Sequence, residues 1–351
     1  MKKYRFYTTF GGFLILALSV VLLLQRSELG NENFVLYDYF NVDKAVESVS
    51  GNIGISDNSV GDILAIHTNN ESDYDDWQFE YDPVYKSLCV YCPLNNGLEK
   101  KDADNVSKYA SGIWVECDAS MIESSEYYSD FEYICLKITF NEYCYIDTMS
   151  VSRDENILIP IYDYSNVSSH YIIIDEMDNS VSSNGWNQKN VLDGVAKQYK
   201  EGISGSLADY EVIVLNYRPE NANYAEAKKM FIDNIGAELY LQISVNETLV
   251  NNESETVTYY NEHCFIPILD SIVFADLLER NVVMKLGGNA KGILPEYEGY
   301  TVDILTVPCA RILLGVDMAS NGNYSINSES YIKYAAEGLV NGTMDALCNK
   351  N

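Results

Sequence analysis

The segment AELYLQISVN, residues 237–246, has the alternation that is typical of a strand inside an α/β fold. Apolar residues stand at every second position from Leu239 to Ile243, and Asn246 closes the run. This pattern predicts a β-strand. A strand of this kind often ends in a catalytic or metal-binding side chain. Here Ser244 holds that place, so the strand ends without a strong metal-binding or catalytic side chain.

Strands and helices alternate on both sides of this segment. HYIIIDE (170–176) and YEVIVLNY (210–217) predict buried strands, and NYAEAKKMFIDNIG (223–236) predicts an amphipathic helix that ends at Gly236. The predicted apolar face of that helix consists of Ala227, Met230, Phe231 and Ile235. The later predicted elements are ETVTYY (255–260), IPILDSIVFADLLERN (266–281), ARILLGV (310–316) and a last helix with Ser328 as its N-cap. We therefore predict an α/β domain over residues 168–351, with a twisted, mostly parallel sheet covered by helices.

Residues 31–165 follow a different pattern. Short apolar or alternating runs are separated by clusters of Asn, Asp, Ser and Gly. The runs are DILAIHT (62–68), SLCVYCP (87–93), GIWVECDA (112–119), YICLKITF (133–140) and NILIPIYD (156–163). Such spacing predicts a β-rich, all-β sandwich-like domain.

Several weak motifs do not indicate a site. The acidic segment 71–83 lacks the spaced ligands, turn glycine and closing Glu of an EF-hand, so it predicts a solvated face. Cys89 and Cys92 form CVYC without a second pair at zinc-site spacing, and their strand would turn them to opposite faces, so we predict buried thiols. His67 is an isolated, structural histidine. KLGGNAKG (285–292) has no strand before it and no helix after it, so it predicts a loop.

The first 30 residues predict a cytoplasmic tip and a membrane signal-anchor. Three basic residues lie within MKKYR, and the next 19 residues, 6–24, are uncharged and mostly apolar. A stretch of about 20 apolar residues is long enough to cross a bilayer. The segment after it has no small-residue cleavage site. Because basic residues stay on the cytoplasmic side, we expect a single-pass protein of the cell membrane with its bulk outside the cell.

The charge balance excludes nucleic acid as a partner. The chain has 23 basic and 52 acidic residues, a formal net charge of −29. A protein with this charge repels the phosphate backbone and anionic lipid surfaces. The acidity is typical of a soluble, extracellular surface.

Four segments of the α/β part resemble, in order, the motifs of the zinc-dependent N-acetylmuramoyl-L-alanine amidases, which remove stem peptides from peptidoglycan. They are IIDEMDNS (173–180), NGWNQKNVLD (184–193), AELYLQISVN (237–246) and ARILLGVDMASN (310–321). In that family, segments of the types VIDPGHGG, NGLKEKDVNL, ADLFISIHAN and PAVLVEIGFLSN supply a zinc-binding His, a zinc-binding Glu, a second zinc-binding His and a catalytic Glu. The resemblance covers nearly all of the α/β part, and it implies the amidase-like fold.

Each functional position of the family holds another residue here. Asp178 and Ser244 stand where the resemblance places the two histidines, and Gln188 stands at the Glu ligand. Gly315 stands at the catalytic Glu. Gln and Ser are poor zinc ligands, and without zinc no water is activated near neutral pH. The resemblance therefore implies a degenerate member, with these positions as remnants of the binding site, without a cofactor and without a catalytic residue.

Three other residues could replace the lost ligands. His170 precedes the first strand of the α/β part, His263 follows ETVTYY, and Asp317 follows the last strand. Each replacement is possible alone, but an active zinc site needs several of them at once.

The favoured hypothesis is a pseudoenzyme: a membrane-anchored, extracellular pseudo-amidase that binds peptidoglycan or a cell-wall protein, or regulates cell-wall hydrolysis, without zinc-dependent catalysis. Two alternatives stay open. The first is an active N-acetylmuramoyl-L-alanine amidase, a cell-wall hydrolase with relocated ligands. The second is an adhesive or scaffold protein that acts through the β-rich residues 31–165.

Overall fold

The described part of the chain begins near residue 49. The structure, a computed structural model, describes residues 49–57, 63–68, 74–93, 110, 112–129, 133–148, 151–153, 156–178, 188–219, 222–246, 255–267, 269–315 and 329–350. The predicted signal-anchor, residues 6–24, lies outside these ranges. Within them, no helix combines the length and the apolar character that crossing a membrane requires.

Two sheets form the first half of the described chain. Their strands are β1 (Val49–Asn52), β2 (Gly54–Asp57), β3 (Ile63–Thr68), β4 (Gln78–Asp82), β5 (Ser87–Pro93), β6 (Ile113–Cys117), β7 (Ile122–Ser129), β8 (Tyr133–Phe140), β9 (Tyr145–Ile146), β10 (Ser152–Arg153) and β11 (Ile157–Tyr162). Short 3-10 turns lie at Tyr74–Asp76 and Ala119–Met121. The strand orders are β1-β7-β8-β5-β4 and β10-β11-β3-β6-β2, with β9 paired to β11. The central pairs, such as β5 with β8 and β3 with β6, are antiparallel, so the predicted β-rich region is confirmed.

Apolar alternation explains these strands. In β6, Ile113, Val115 and Cys117 are buried, and the two residues between them are half-buried. A period of two places one residue set on one face of a strand. The prediction that Cys89 and Cys92 are buried is confirmed, and both thiols are free.

A six-stranded sheet with helices forms the second half. Its strands are β12 (His170–Asp178), β13 (Tyr210–Pro219), β14 (Leu239–Val245), β15 (Thr256–Tyr260), β16 (Ala290–Pro295) and β17 (Cys309–Leu314). The helices are α1 (Tyr164–Val167), α2 (Gln188–Ser206), α3 (Ala222–Ile235), α4 (Ser271–Leu286), α5 (Thr301–Ile304) and α6 (Glu329–Lys350). The strand order is β13-β12-β14-β17-β15-β16. Neighbours are parallel except β15 and β17, so the predicted mostly parallel sheet is confirmed.

The strand quoted first, β14, lies between β12 and β17, and all seven of its residues are buried. Leu239, Leu241 and Ile243 face a core built with α2, α4 and α6. Tyr240 faces a second core that contains residues of α3 and α5. Helices therefore cover both faces of β14, which explains why even its polar residues are buried.

The turn between β4 and β5 packs against the α/β part. Val84 belongs to the same core as Phe231 of α3. The Tyr85 ring stacks on Tyr224 of α3, with ring centroids 5.5 Å apart. The antiparallel part and the α/β part are thus in direct apolar contact.

Helices α4 and α6 approach each other closely at two glycines of α6. A Cβ atom added at Gly338 would lie 2.6 Å from the backbone Cα of Val282. One added at Gly342 would lie 2.8 Å from the Cα of Leu278. These glycines, four residues apart on one face of α6, allow the two backbones to touch.

Two details of the sequence prediction are wrong. The buried residues of α3 are Tyr224, Ala225, Lys228, Phe231 and Ile232. Met230, predicted to be buried, is 64% exposed, because the buried face is rotated around the helix relative to the prediction. The predicted loop 285–292 ends α4 and begins β16, an edge strand in which no residue is buried and no apolar alternation reveals it.

Candidate functional site

The carboxyl ends of three neighbouring parallel strands form the candidate site. Ser244 of β14 pairs with Leu313 of β17, and Gly315 directly follows β17. Glu176 of β12 pairs with Ile243, and Asp178, two positions later, is the last residue of β12. Strand register therefore brings positions 178, 244 and 315 to one edge of the sheet. In open α/β sheets this edge is where ligands bind.

Gln188 begins helix α2, which follows β12 in the chain. Asp193, in the second turn of α2, contacts Glu176 near the end of β12. The start of α2 is therefore close to the same edge. The side chains of Asp178 and Gln188 are outside the described part of the structure, so only their backbone positions are assigned.

Ser244 and Gly315 offer little to a metal or a substrate. The Ser244 side chain is fully buried within β14. The Gly315 N–H donates to Thr256 Oγ1 at 3.1 Å, and its carbonyl accepts a hydrogen bond from the Tyr331 hydroxyl at 3.0 Å. Gly315, which the resemblance aligns with the catalytic Glu, thus offers only backbone groups. These are hydrogen-bonded to β15 on one side and to α6 on the other.

A buried ionic network lies on the same face of the sheet as Ser244. Lys228 of α3 places its Nζ 2.6 Å from Asp175 Oδ2 of β12. The Tyr240 hydroxyl also donates to Asp175, and Gln242 Nε2 donates to it at 2.9 Å. The Lys228 ammonium lies 4.7 Å from the centre of the Tyr224 ring. Lysine and aspartate are each at most 2% exposed, so this is a fully buried charge pair.

This network was not predicted from the sequence, although the sequence contains a signal for it. Lys228 lies four residues after Tyr224 and three before Phe231, in the middle of an apolar face. A lysine on the buried face of a helix requires a buried partner. Asp175 and Glu176 follow the apolar run of β12, and Asp175 is the one on the face that α3 covers.

A second buried carboxyl group lies on the opposite face of β12. Glu176 is 3% exposed, and its Oε2 has no hydrogen-bond partner. Burial raises the pKa of Glu176 to about 10, and a hydrogen bond with the Asp193 carboxyl adds to the shift. Glu176 is therefore protonated at neutral pH and donates to Asp193, which also pairs with Lys189 at 3.6 Å.

We expect Glu176→Gln to change the pH dependence of stability. The unfolded chain releases this proton near pH 4.3, whereas the folded chain holds it up to about pH 10. Between these values the folded state binds one more proton, so stability falls as pH rises, by on the order of 1 kcal/mol per pH unit. The variant and the wild type should be similar at pH 5, and the variant should be more stable at pH 9.

Urea unfolding at pH 5, 7 and 9 measures this difference. Glu262→Gln, at an exposed position after β15, is the control and should keep the pH slope of the wild type. Equal slopes for Glu176→Gln and the wild type would show that the Glu176 carboxyl is not held protonated.

The remaining histidines of the α/β part lie at the other end of the sheet. His170 begins β12, where its Nδ1 lies 2.5 Å from Glu238 Oε1 and its ring stacks on Tyr210. It is eight residues from Asp178, or about 26 Å along the strand. His263 follows β15, which runs antiparallel to β17 and so ends at the amino-terminal edge. Neither His170 nor His263 therefore lies at the candidate site.

The side chains that the structure describes at this edge do not supply the donors that zinc requires. Among the described residues, no group of three His, Cys, Asp or Glu side chains could hold a metal ion. Ser244 is a buried hydroxyl group, and Gly315 has no side chain. Asp317, the third replacement considered, lies outside the described ranges. In the β-rich part, His67 hydrogen-bonds to Asn156 and Glu116, both at 2.8 Å, which fits the structural role predicted for it.

Comparisons with known proteins give similarity at the level of structure. No protein-family model matches the chain, and no curated protein sequence matches it. The N-acetylmuramoyl-L-alanine amidase from Clostridium difficile 630 aligns with a TM-score of 0.42 and 18% identity, over 52% of this chain and 100% of that one. Amidase AmiC2 of Nostoc punctiforme gives 0.41 and 12%, over 52% and 99%. The catalytic domain of the amidase CwlV from Bacillus (Paenibacillus) polymyxa var. colistinus gives 0.40 and 16%, over 51% and 98%.

Proposed function

We propose that this chain is a membrane-anchored, wall-facing pseudo-amidase, which binds peptidoglycan and does not hydrolyse it. The observation that supports this most directly is the register of β12, β14 and β17. It brings positions 178, 244 and 315 to one edge of a parallel sheet, which is the arrangement that the motif resemblance requires. We infer from this support that the fold of the site is kept and that the residues that perform hydrolysis in the resembling enzymes are replaced.

The chemistry of the edge supports the non-catalytic part of the proposal. Hydrolysis by the resembling enzymes requires zinc with about three protein ligands and a bound water. Here Ser244 and Gly315 supply neither a ligand nor a general base. On the same face, the charges of Lys228 and Asp175 neutralise each other within the protein. The edge is thus suited to bind a ligand through its shape and through hydrogen bonds, and not to hydrolyse it.

The location of the other histidines argues against the active alternative. A relocated zinc site would need His170 or His263 near the carboxyl edge, and both lie near the amino-terminal edge. Asp178 alone is one oxygen ligand, which suffices only for weak binding of a hard cation.

The test uses the full chain, purified in detergent, because the proposal includes an anchor in residues 6–24. We expect the chain to stay in the membrane during alkaline extraction and to sediment with purified Gram-positive sacculi. We expect no release of stem peptides from the sacculi and less than one equivalent of zinc per chain. An active zinc amidase is the positive control for binding, peptide release and metal content.

Each outcome decides one part of the proposal. Peptide release with stoichiometric zinc would show an active amidase and overturn the non-catalytic assignment. Failure to sediment, beside a control that does, would overturn peptidoglycan binding and leave a cell-wall protein as the partner class. Complete extraction at alkaline pH would contradict the anchor.

A further inference from the structure

A polar groove lies at the other end of the sheet, away from the candidate site. A cavity of about 840 Å³ is lined by residues of both parts of the molecule, including Tyr143 before β9, Tyr171 at the start of β12 and Asn234 near the end of α3. A second cavity of about 410 Å³ lies beside it. The two cavities share four lining residues, Asn141, Glu142, Tyr143 and Asp163. They are therefore two halves of one groove.

The lining of the groove is rich in hydrogen-bonding groups. Side-chain amides, hydroxyls and carboxylates alternate with tyrosine rings along both halves. Among the described lining residues, Lys86 is the single cation, against the carboxylates of Asp118, Glu142 and Asp163. This charge repels phosphates and other anions. The small apolar share of the lining gives an apolar ligand little to bind.

Two of the carboxylates are held in fixed positions. Asp118 Oδ1 accepts hydrogen bonds from the backbone N–H of Ser120 at 2.9 Å and from its hydroxyl at 2.7 Å. Asp163 Oδ1 accepts the equivalent pair from Ser165 at 2.7 and 2.6 Å. These bonds lower the pKa of both carboxyl groups, so both stay ionised. Their second oxygens can accept hydrogen bonds from ligand hydroxyls.

An exposed aromatic ring borders the smaller half of the groove. Tyr162, the last residue of β11, is 43% exposed. Rings of this kind present an apolar face and a polar tip at a wet surface. At the junction of the two halves, the Tyr143 ring is fixed by contact with Phe231 of α3, with centroids 5.5 Å apart. Tyrosine rings can pack against the apolar ring faces of a ligand, and the carboxylates and amides beside them can accept hydrogen bonds from its hydroxyl groups.

Lys86 explains how the groove keeps its shape. Its backbone has φ of 53°, a left-handed conformation that favours glycine or asparagine. The chain nevertheless has a lysine there, and its Nζ donates to the Asn141 carbonyl at 2.9 Å. This bond ties the β4–β5 turn to the segment 141–143 that joins the two halves of the groove. Lys86 is therefore a positioning residue.

We propose that this groove binds an uncharged glycan strand, and that it is a recognition site separate from the degenerate edge at Ser244 and Gly315. The inference deepens the proposed function, on which it rests, because it names the glycan as the part of peptidoglycan that is recognised. Tyr171 and Asn234 place the groove at the amino-terminal end of the sheet, opposite the carboxyl edge.

The test measures binding of a β-1,4-linked N-acetylglucosamine tetramer to the full chain in detergent, by isothermal titration calorimetry. Tyr162→Ala should weaken binding about tenfold, since it removes the exposed ring. Tyr297→Ala removes a ring that is 61% exposed and outside the groove, so it is the matched control and should leave the affinity unchanged. Maltotetraose, with a different linkage and no acetamido group, should bind more weakly.

Sacculus sedimentation of the same variants separates this inference from the proposed function. If the wild type sediments and Tyr162→Ala sediments equally, the glycan groove is overturned and peptidoglycan binding stands. If the wild type binds the tetramer but not sacculi, the groove stands and the proposed function falls. Loss of sacculus binding in Tyr162→Ala, without any binding of the tetramer by the wild type, would assign the groove to the peptide part of the wall and overturn the glycan assignment.

Discussion

Gly338→Ala is expected to destabilise the α/β part by about 3 kcal/mol, the upper end of the usual cost of overpacking. The added Cβ would lie 2.6 Å from Val282 Cα and 3.1 Å from the Asn281 carbonyl oxygen. Both are backbone atoms, so no side-chain rotation can relieve the contact, and α4 and α6 must move apart. That movement opens a core in which Leu278, Val282 and Leu339 are fully buried.

Gly205→Ala is the matched control, because Gly205 is also a helical glycine, but apart from the backbone of its own helix no atom lies within 4 Å of its added Cβ. It should be neutral or stabilise the protein by up to about 0.5–1 kcal/mol, since alanine favours helix more than glycine does. Urea unfolding followed by far-UV circular dichroism measures both variants. Equal stability of Gly338→Ala and the wild type would contradict the close approach of the two helices.

Lys228→Met is expected to cost about 3–5 kcal/mol at neutral pH, because it leaves the Asp175 charge buried without its cation. Tyr240 and Gln242 still donate hydrogen bonds to the carboxylate, but neither supplies charge. Adding Asp175→Asn to this variant removes the unpaired charge. The double variant should therefore recover part of the lost stability, so the two substitutions are not additive.

The control for this prediction is the next residue along the same helix. Lys229 pairs with Asp233 one turn later at a partly exposed position. Exposed pairs of this spacing contribute about 0.3–0.5 kcal/mol, so Lys229→Met should have little effect. If both lysine variants unfold at the same urea concentration as the wild type, the buried pair contributes no net stability. Full additivity in the double variant would show that the two charges do not interact.

The sheet could be predicted because its signal is local. The apolar alternation of β14 and the continuous apolar run of β12 are the expected patterns of strands buried by helices on both faces. The order of the motifs then gave the predicted site positions, of which Ser244 lies near the end of β14 and Gly315 directly after β17. The sequence pattern also indicated where the fold changes from antiparallel strands to strand–helix alternation.

The buried charge pair and the position of His263 could not be predicted in the same way. The pairing of Lys228 with Asp175 joins residues 53 positions apart and depends on how α3 is rotated over the sheet. The sequence of α3 offers two overlapping apolar faces, one with Met230 and one around Lys228, and the rotation of the helix over the sheet decides which one is buried. Likewise, the position of His263 depends on the reversed direction of β15, and no local pattern distinguishes a parallel strand from an antiparallel one at the edge of a mixed sheet.

The contact of Val84 and Tyr85 with α3 has a consequence for the order of folding. These residues touch partners about 140 positions later in the sequence, so this contact cannot form until α3 has been synthesised. Contacts between residues so far apart in sequence slow folding, because a long loop must close first. During synthesis the β4–β5 turn therefore presents an apolar surface that has no partner yet. In that interval a chaperone that recognises apolar segments has something to bind.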